Sequence, residues 1–433
     1  MAQHMVKISD LFGHRFVIDS REVKFDDVFV AIKGSQVDGH DFASQALQNG
    51  AFAVIVERDV GIENQIIVPN TVQFLGQLAS KIISKFNHKI IALTGSNGKT
   101  TTKEILWSVL NSETPTFKNE GNLNSEIGLP LSIINSYKGE ELLVLEMGQR
   151  VVGDIEYLCK LFPPDIGILL NAGSAHVGVA GSLENIFKGK WQIVEGAKLA
   201  LVNYDDERMR DADCKKCKYF GTYGGDYVLK GKRFDGKSTL LNFYADGNDY
   251  FYYFPGYWTK AMSISALVSF AVCDMLDIIF NPTSLVQFKT LKGRFNVHNY
   301  RNGYLIDDSY NASYESFKIG IEEILDNFPR PHYAVVGAMK ELGEHSKHYH
   351  EQLSKLLEKL DGVIVLDKEE ESAYINTSNT LFRSASIDEI ASFVEAKILV
   401  DNFSGTVYFK ASHAVQLDKV VDRILDIQEV QTK

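Results

Sequence analysis

Cysteine is scarce in this chain: four residues in 433. Four cysteines spread over that length do not make a disulfide framework, and only Cys214 and Cys217, in CKKC, are spaced to act together. A zinc site would want a second such pair, so this segment reads as a reduced turn at the surface. Long apolar runs are missing as well. No stretch reaches the roughly 18 residues that a membrane helix needs, and the opening MAQHMVKISDLFG has no basic segment followed by an apolar one. The expectation is a cytoplasmic protein that acts as a monomer. Positive charge is in deficit, with 45 Lys and Arg against 56 Asp and Glu and a formal net charge of −11. That balance excludes a broad nucleic-acid or anionic-membrane footprint, either of which needs a surplus of Lys and Arg. It leaves room for a small anion in a local pocket. There is no internal repeat, and the acidic DKEEE at 367–371 reads as a solvated loop.

What is present is the balance of a folded globular protein, 45% hydrophobic and 23% charged. At roughly 150 residues per domain the length predicts about three domains. Residues 1–84 hold short β-like runs (FVAI at 29–32, AFAVIV at 51–56, QIIV at 65–68) between turns and helical segments. Residues 85–290 open with KIIALTG and continue with LLVLEM (142–147), IGILLNAG (166–173) and KLALVN (198–203), apolar strands alternating with helical patterns. This predicts a mostly parallel sheet with helices on both faces. Residues 201–257 are aromatic and turn-rich, as in an antiparallel insertion, and Tyr250–Phe254 read as a packed strand rather than a base-stacking platform. Residues 291–433 carry a third α/β pattern with YLIDDS, YAVVGAM, GVIVLD and TVYFKAS as strands. The predicted fold is α/β in three domains: a smaller α/β N-terminal domain, a central P-loop-type domain and a Rossmann-like C-terminal domain.

The strongest local signal is ALTGSNGKTTT at 92–102, where a strand runs through Gly95, Ser96, Asn97 and Gly98 into a helix starting near Lys99. Glycines let backbone N–H groups approach phosphate oxygens, and a helix N-terminus adds free donors and a favourable dipole. Lys99 is placed to contact the β- and γ-phosphates of ATP, and the Thr100 hydroxyl, with Thr101 beside it, to reach Mg²⁺. The glycine usual five positions before Gly98 is Leu93, so the loop is a shortened variant. His345, His348 and His350 have metal-like spacing but read as exposed polar residues of a helix.

TGSNGKTTTKE resembles the ATP loop of the Mur ligases, ATP-dependent amide-forming enzymes of peptidoglycan precursor synthesis. GNLNSEIGLPLS (121–132), LEMG (145–148), NAGSAHVGVAGS (171–182), GRF (293–295), DDSYNAS (307–313) and VVGAMKELGEHS (335–346) resemble further segments of that family in the same order. DSREVKFDDVFVAIKGSQVDGHDFASQAL (19–47) extends the likeness over nearly the whole chain. The resemblance implies a ligase that phosphorylates a carboxylate with ATP and attacks the acyl phosphate with an amine. DDSYNAS and MKELGEHS favour the members that add D-Ala-D-Ala to UDP-MurNAc-tripeptide. It also implies two Mg²⁺ ions, the first on Thr100 and Glu146, the second on His176 and on Lys190 carrying CO₂ as a carbamate. Lys99, Lys190 and His176 would then be the catalytic groups. Asn122, Asn124 and Glu126 would face the substrate. Arg294, Asp308 and Asn311 would reach ATP from the third domain, and Asp19, Ser20, Arg21, Asp38, Gly39 and His40 would hold the UDP end. A relative with another acid and amine, and a non-catalytic module that binds the sugar nucleotide, stay open as alternatives.

The pattern fails in one place. The family carries PGxHNxxN, whose His and Asn contact adenine, whereas here PGYWTKAMSISA (255–266) puts Trp258, Thr259 and Met262 at those positions. Three expectations remain: stacking of adenine on Trp258, relaxed nucleotide selectivity, or an impaired copy. Ser313-Tyr314 replaces the usual Asn-Pro, and Gln192 stands where Glu is common after the lysine.

Overall fold

The structure is a computed structural model and describes residues 7–431 apart from 35, 174–180, 236, 287, 289, 290 and 401. Its strands form three sheets. The first is wholly parallel, β1 (Phe16–Val17), β2 (Val28–Val30), β3 (Ala53–Val56) and β4 (Gln65–Ile67) in that order. The runs read as strands supply β2 to β4, and their lack of polar alternation has a physical reason. Val28, Val30, Ala53 and Ile55 pack with Leu75 and Leu78, while Phe29, Val54 and Val56 pack with Ala43 and Ala46 on the other face.

The central sheet contains β5 (Lys89–Thr94), β6 (Thr116–Lys118), β7 (Leu142–Glu146), β8 (Ile166–Leu169), β9 (Leu199–Asn203), β10 (Cys217–Gly221), β11 (Tyr227–Phe234), β12 (Ser238–Ala245) and β13 (Asn248–Pro255). Their order is β13-β12-β11-β10-β9-β8-β5-β7-β6. Helices Lys99–Asn111 and Lys260–Met275 cover one face; Asp154–Leu161 and Leu183–Gly196 cover the other. The stretch expected to be antiparallel is so only from β11 onward. β10 pairs parallel with both β9 and β11, and the meander β11-β12-β13 prolongs the same sheet. Within β13, Tyr252 and Phe254 turn inward while Phe251 and Tyr253 stay exposed.

The third sheet joins β14 (Asn296–Tyr300), β15 (Gly303–Asp307), β16 (His332–Val336), β17 (Gly362–Leu366), β18 (Thr380–Ser384) and β19 (Thr406–Lys410) in the order β14-β15-β19-β16-β17-β18. Only β14 is antiparallel to its neighbour. The α/β class with mostly parallel sheets flanked by helices is therefore observed. No helix among the described residues is long and apolar enough to cross a membrane.

Three expectations need correction. Cys214 and Cys217 form a disulfide rather than a reduced turn; their Cα atoms are 5.4 Å apart, a separation a bridge spans without distorting the backbone. DKEEE is not merely solvated, because Glu369 and Glu371 both hold the Lys340 ammonium and Asp367 pairs with Arg383. His350 is fully buried, accepting a hydrogen bond from Met339 N at Nε2 and contacting Ser346 O through Nδ1. Burial pushes its pKa down. Among the described residues no group of three or more His, Cys, Asp or Glu is arranged to hold a metal ion.

One side chain ties the first sheet to the central domain. Asn135, near the end of helix Gly128–Ser136, accepts from Phe16 N at 2.7 Å and donates to Phe16 O at 2.9 Å, behaving as one more residue on the edge of β1. Asn135→Ala should lower stability by about 1–3 kcal/mol, because both Phe16 groups lose a partner. Denaturant midpoints together with amide exchange at Phe16 would check this, and an unchanged exchange rate would refute it.

Candidate active site

The phosphate loop sits between β5 and helix Lys99–Asn111. The turn is possible because Gly98 caps the helix at φ +80°, a left-handed conformation that a side chain would strain. Gly95 passes against Leu170, with 3.0 Å to the nearest atom for an added Cβ. The loop is then pinned from the end of β8. Asn171 accepts from Asn97 N at 2.8 Å and donates to Asn97 O at 2.9 Å, and Ser96 Oγ donates to Gly173 O at 3.0 Å. Lys99 folds back to donate to Gly95 O at 2.7 Å. Burial lowers its pKa, against the attraction of Glu146 and with the help of Arg294.

A cavity of about 440 Å³ opens in front of this loop. It brings together Ser96, Asn97, Gly98, Lys99, Thr100, Thr101, Asn122, Asn124, Glu126 and Glu146 from the central domain with Arg294, Asp308 and Asn311 from the C-terminal one. Glu146 ends β7 and is 1% exposed. Its Oε1 accepts from Asn124 Nδ2 at 2.8 Å, and Lys103 Nζ stands 3.5 Å from Oε2. Oε2 is buried with no hydrogen-bond partner among the described residues. A buried carboxylate oxygen left open, in a cavity also lined by the Thr100 hydroxyl, is a hard-oxygen donor set of the kind Mg²⁺ takes.

Three groups around Glu146 went unread in the sequence. Lys103 is fully buried and donates to Gly121 O at 2.9 Å, so one ammonium touches both the carboxylate and the turn that starts the Asn122–Glu126 loop. Asn119, also fully buried, accepts from Glu146 N at 2.8 Å and donates to Leu123 O at 2.9 Å. Gly148 makes room for Asn124, whose Oδ1 would lie 2.7 Å from an added Cβ. Lys103 in TTTKE had one signal: it falls on the apolar face of its helix.

Across the cavity, Asp308 accepts from Lys410 Nζ at 2.6 Å and from Tyr408 OH at 2.8 Å. Lys410 also reaches Asn311 O at 3.0 Å, and burial lowers its pKa while Asp308 opposes that. A lone lysine inside the apolar strand TVYFK was the overlooked signal. The Arg294 guanidinium lies 4.1 Å from the Tyr310 ring centroid. Ser313, standing where the family has Asn, caps helix Tyr314–Asn327 and donates to Asn97 Oδ1 at 3.2 Å, a direct bond between the C-terminal domain and the phosphate loop.

The remaining expected residues are placed differently. Lys190 is 2% exposed on helix Leu183–Gly196 and is not among the residues lining the cavity. Burial, with the Lys99 charge adding to it, holds its pKa well below that of an ordinary lysine. Gln192 accepts from Gly153 N at 3.0 Å, a structural use for the position where Glu is common. His176 lies outside the described residues. Trp258 is 2% exposed, packed on Phe254 and Phe288 with its indole N–H on Pro255 O, so it cannot stack on adenine. Thr259 caps helix Lys260–Met275 by accepting from Met262 N, and both residues line the cavity.

Ser20 and Arg21 lie in the N-terminal domain and not on this cavity. Arg21 is exposed and pairs with Asp19, pulling that carboxyl down to about 2. Asp38 accepts from His40 N, His40 Nδ1 and Arg58 and is held well below the usual carboxylate range. Gly39 runs against Ile32 so closely that no larger residue fits.

Three family models match the chain: the Mur ligase family catalytic domain over residues 14–88, the Mur ligase middle domain over 93–251, and the Mur ligase glutamate ligase domain over 293–406. A UDP-N-acetylmuramoyl-tripeptide–D-alanyl-D-alanine ligase of Borreliella burgdorferi is 33% identical over 382 residues, 78% of this chain and 78% of its own. The Bacillus subtilis protein of the same name is 29% identical over 434 residues, 95% of this chain and 93% of its own. A crystal structure of MurF ligase from Thermotoga maritima in complex with ADP is 41% identical with a TM-score of 0.90, covering 98% of this chain and 99% of that one. With the phosphate loop, the acidic strand end and the third domain's groups meeting at one cavity, the chain belongs to the Mur ligase family.

Proposed function

We propose that this chain joins D-Ala-D-Ala to UDP-MurNAc-tripeptide through an acyl phosphate, releasing ADP and phosphate. As a Mur ligase it is an ATP-dependent enzyme that forms amide bonds. Residues 1–84 would hold the UDP-sugar through Ser20, Arg21 and the Asp38 turn. Residues 85–290 would bind ATP, and residues 291–433 would close over it and receive the amine. The observation that carries this reading is the single cavity shared by Lys99, Glu146 and Arg294.

The chemistry needs two anions, the substrate carboxylate and the γ-phosphate, brought into contact and then a tetrahedral oxyanion stabilised. In our reading Lys99 leaves Gly95 O to neutralise the β- and γ-phosphates, while the N–H groups of residues 98–101 and the helix dipole receive their oxygens. Arg294 adds a planar cation from the opposite domain. Thr100 and Glu146 would hold Mg²⁺, which when bound supplies charge neutralisation at the phosphates. Asn122, Asn124 and Glu126 orient the acyl end. Lys190 is assigned to a carbamate for a second Mg²⁺, with His176 as its neighbour ligand. Burial favours this because only the neutral amine reacts with CO₂.

Three outcomes are expected. First, in a panel of UDP-MurNAc-peptides with Mg²⁺·ATP, phosphate release should require both a tripeptide substrate and D-Ala-D-Ala. Release with neither, or with a different amine only, would overturn the substrate assignment. Second, Lys190→Ala should abolish turnover with partial rescue by small carboxylates, and normal turnover in that variant would remove the carbamate. Third, Lys103→Met should destabilise the protein by about 3 kcal/mol or more, because Glu146 stays buried without its cation. Adding Mg²⁺·ATP should restore part of the melting temperature, and a variant that melts like the parent would show that Lys103 does not hold Glu146.

A further inference from the structure

The segment that departs from the family motif is bound by the other domain. Glu323, on helix Tyr314–Asn327 of the C-terminal domain, is 6% exposed and lines the same cavity. Its Oε1 accepts from Lys260 N, the first residue of helix Lys260–Met275. Its Oε2 accepts from the Tyr257 hydroxyl and, at 2.9 Å, from Lys232 Nζ on β11. Lys232 also donates to the Tyr257 hydroxyl at 3.0 Å and lies 4.5 Å from that ring's centroid. The Tyr257 ring in turn packs edge-on against Phe328 of the C-terminal domain at 4.9 Å. A carboxylate that receives a helix N-terminal N–H, a phenol and an ammonium, all from the opposite domain, is a closed interdomain contact with charge-assisted bonds.

The location gives this contact a consequence. Next to Lys260, Thr259, Ala261 and Met262 line the central-domain wall of the cavity; next to Glu323, Ile319 and Gly320 line the other. The polar groups through which the family reads adenine are absent here, since Trp258 is turned into the core and Thr259 is spent on its helix cap. Where the two helices face each other the walls are mostly apolar, with Ala261 and Met262 on one side and Ile319 and Gly320 on the other, and their spacing depends on how tightly the two helices are joined. We propose that Glu323 is a positioning residue which clasps the two domains at Tyr257 and Lys260 and so fixes the width of the nucleotide cavity. The coupling to ATP rests on the reading of this cavity as the ATP site; the clasp itself does not.

The test uses the full chain. Glu323→Ala should raise the KM for ATP at least about tenfold, the equivalent of one lost charge-assisted hydrogen bond. The KM for the sugar nucleotide should change far less. Small-angle X-ray scattering without nucleotide should show a larger radius of gyration than the parent chain. A folded variant with unchanged scattering, or with an unchanged KM for ATP, overturns the proposal. Should Glu323→Ala not fold, Tyr257→Phe removes a single hydroxyl and carries the same two readouts with a smaller shift. Lys99→Ala separates the two layers: if it leaves the KM for ATP untouched, the cavity is not the ATP site and the coupling falls, whereas the scattering change in Glu323→Ala reports on the clasp alone.

Discussion

The Glu146 carboxylate, buried at the end of β7 with one oxygen that no hydrogen bond among the described residues reaches, is the constraint around which the centre of the molecule is arranged. A buried carboxylate without full pairing is costly, on the order of several kcal/mol per ion. The fold offsets this with three side chains from earlier in the chain: Asn119 fixes the backbone of Glu146, Asn124 from the same loop bonds one oxygen, and Lys103 from the preceding helix brings a cation near the other. Each of those residues also belongs to something else. Asn119 and Lys103 brace the turn that carries Asn122 and Asn124, and Lys103 grows from the helix that the phosphate loop begins. Phosphate loop, acidic strand end and substrate loop therefore share one electrostatic centre, and a change in any of them is felt by the others.

The same physics explains how a chain with a net charge of −11 can serve anionic ligands. Near the cleft Lys103, Lys190 and Lys410 are buried and Lys99 is partly so, and desolvation pushes the pKa of Lys99, Lys190 and Lys410 down. Desolvation disfavours the ammonium form at each of them. A polyphosphate entering beside Lys99 would bring negative charge against the ammonium and oppose the effect of burial. For Lys190 the same depression favours the neutral amine, the form that the proposed carbamate requires.

Much of this was legible in the sequence, and the exceptions have physical causes. The parallel strands were readable because sheets covered on both faces need uninterrupted apolar runs, and the phosphate loop because Gly98 must adopt a positive φ. Residues whose role depends on a distant partner were not. Lys103 and Lys410 stand out only as lysines in apolar settings and Asn119 not at all, and only the folded chain reveals what they face. CKKC was misread because four cysteines invite a count, whereas a bridge depends on local Cα separation. Trp258 was misread for a related reason: an aromatic in a motif position suggests a ligand, but the side chain follows the apolar neighbours Phe254 and Phe288 into the core.

The two departures from the family pattern make sense together. At 313 the chain has Ser, whose hydroxyl both caps its helix and reaches Asn97 on the phosphate loop. At 257–262 the base-reading polar residues of the family are absent, and the same segment is instead gripped by Glu323, nearly three turns beyond Ser313 on that same helix. One helix of the C-terminal domain thus contacts the nucleotide cavity at both ends, by its cap at the phosphate side and by its carboxylate at the far wall. Losing side chains that read the base directly is tolerable when the cavity is held in register from two points on a rigid element. On the proposed reading affinity would come from preorganised walls rather than from hydrogen bonds to the base edge, and nucleotide binding would depend on how the domains meet.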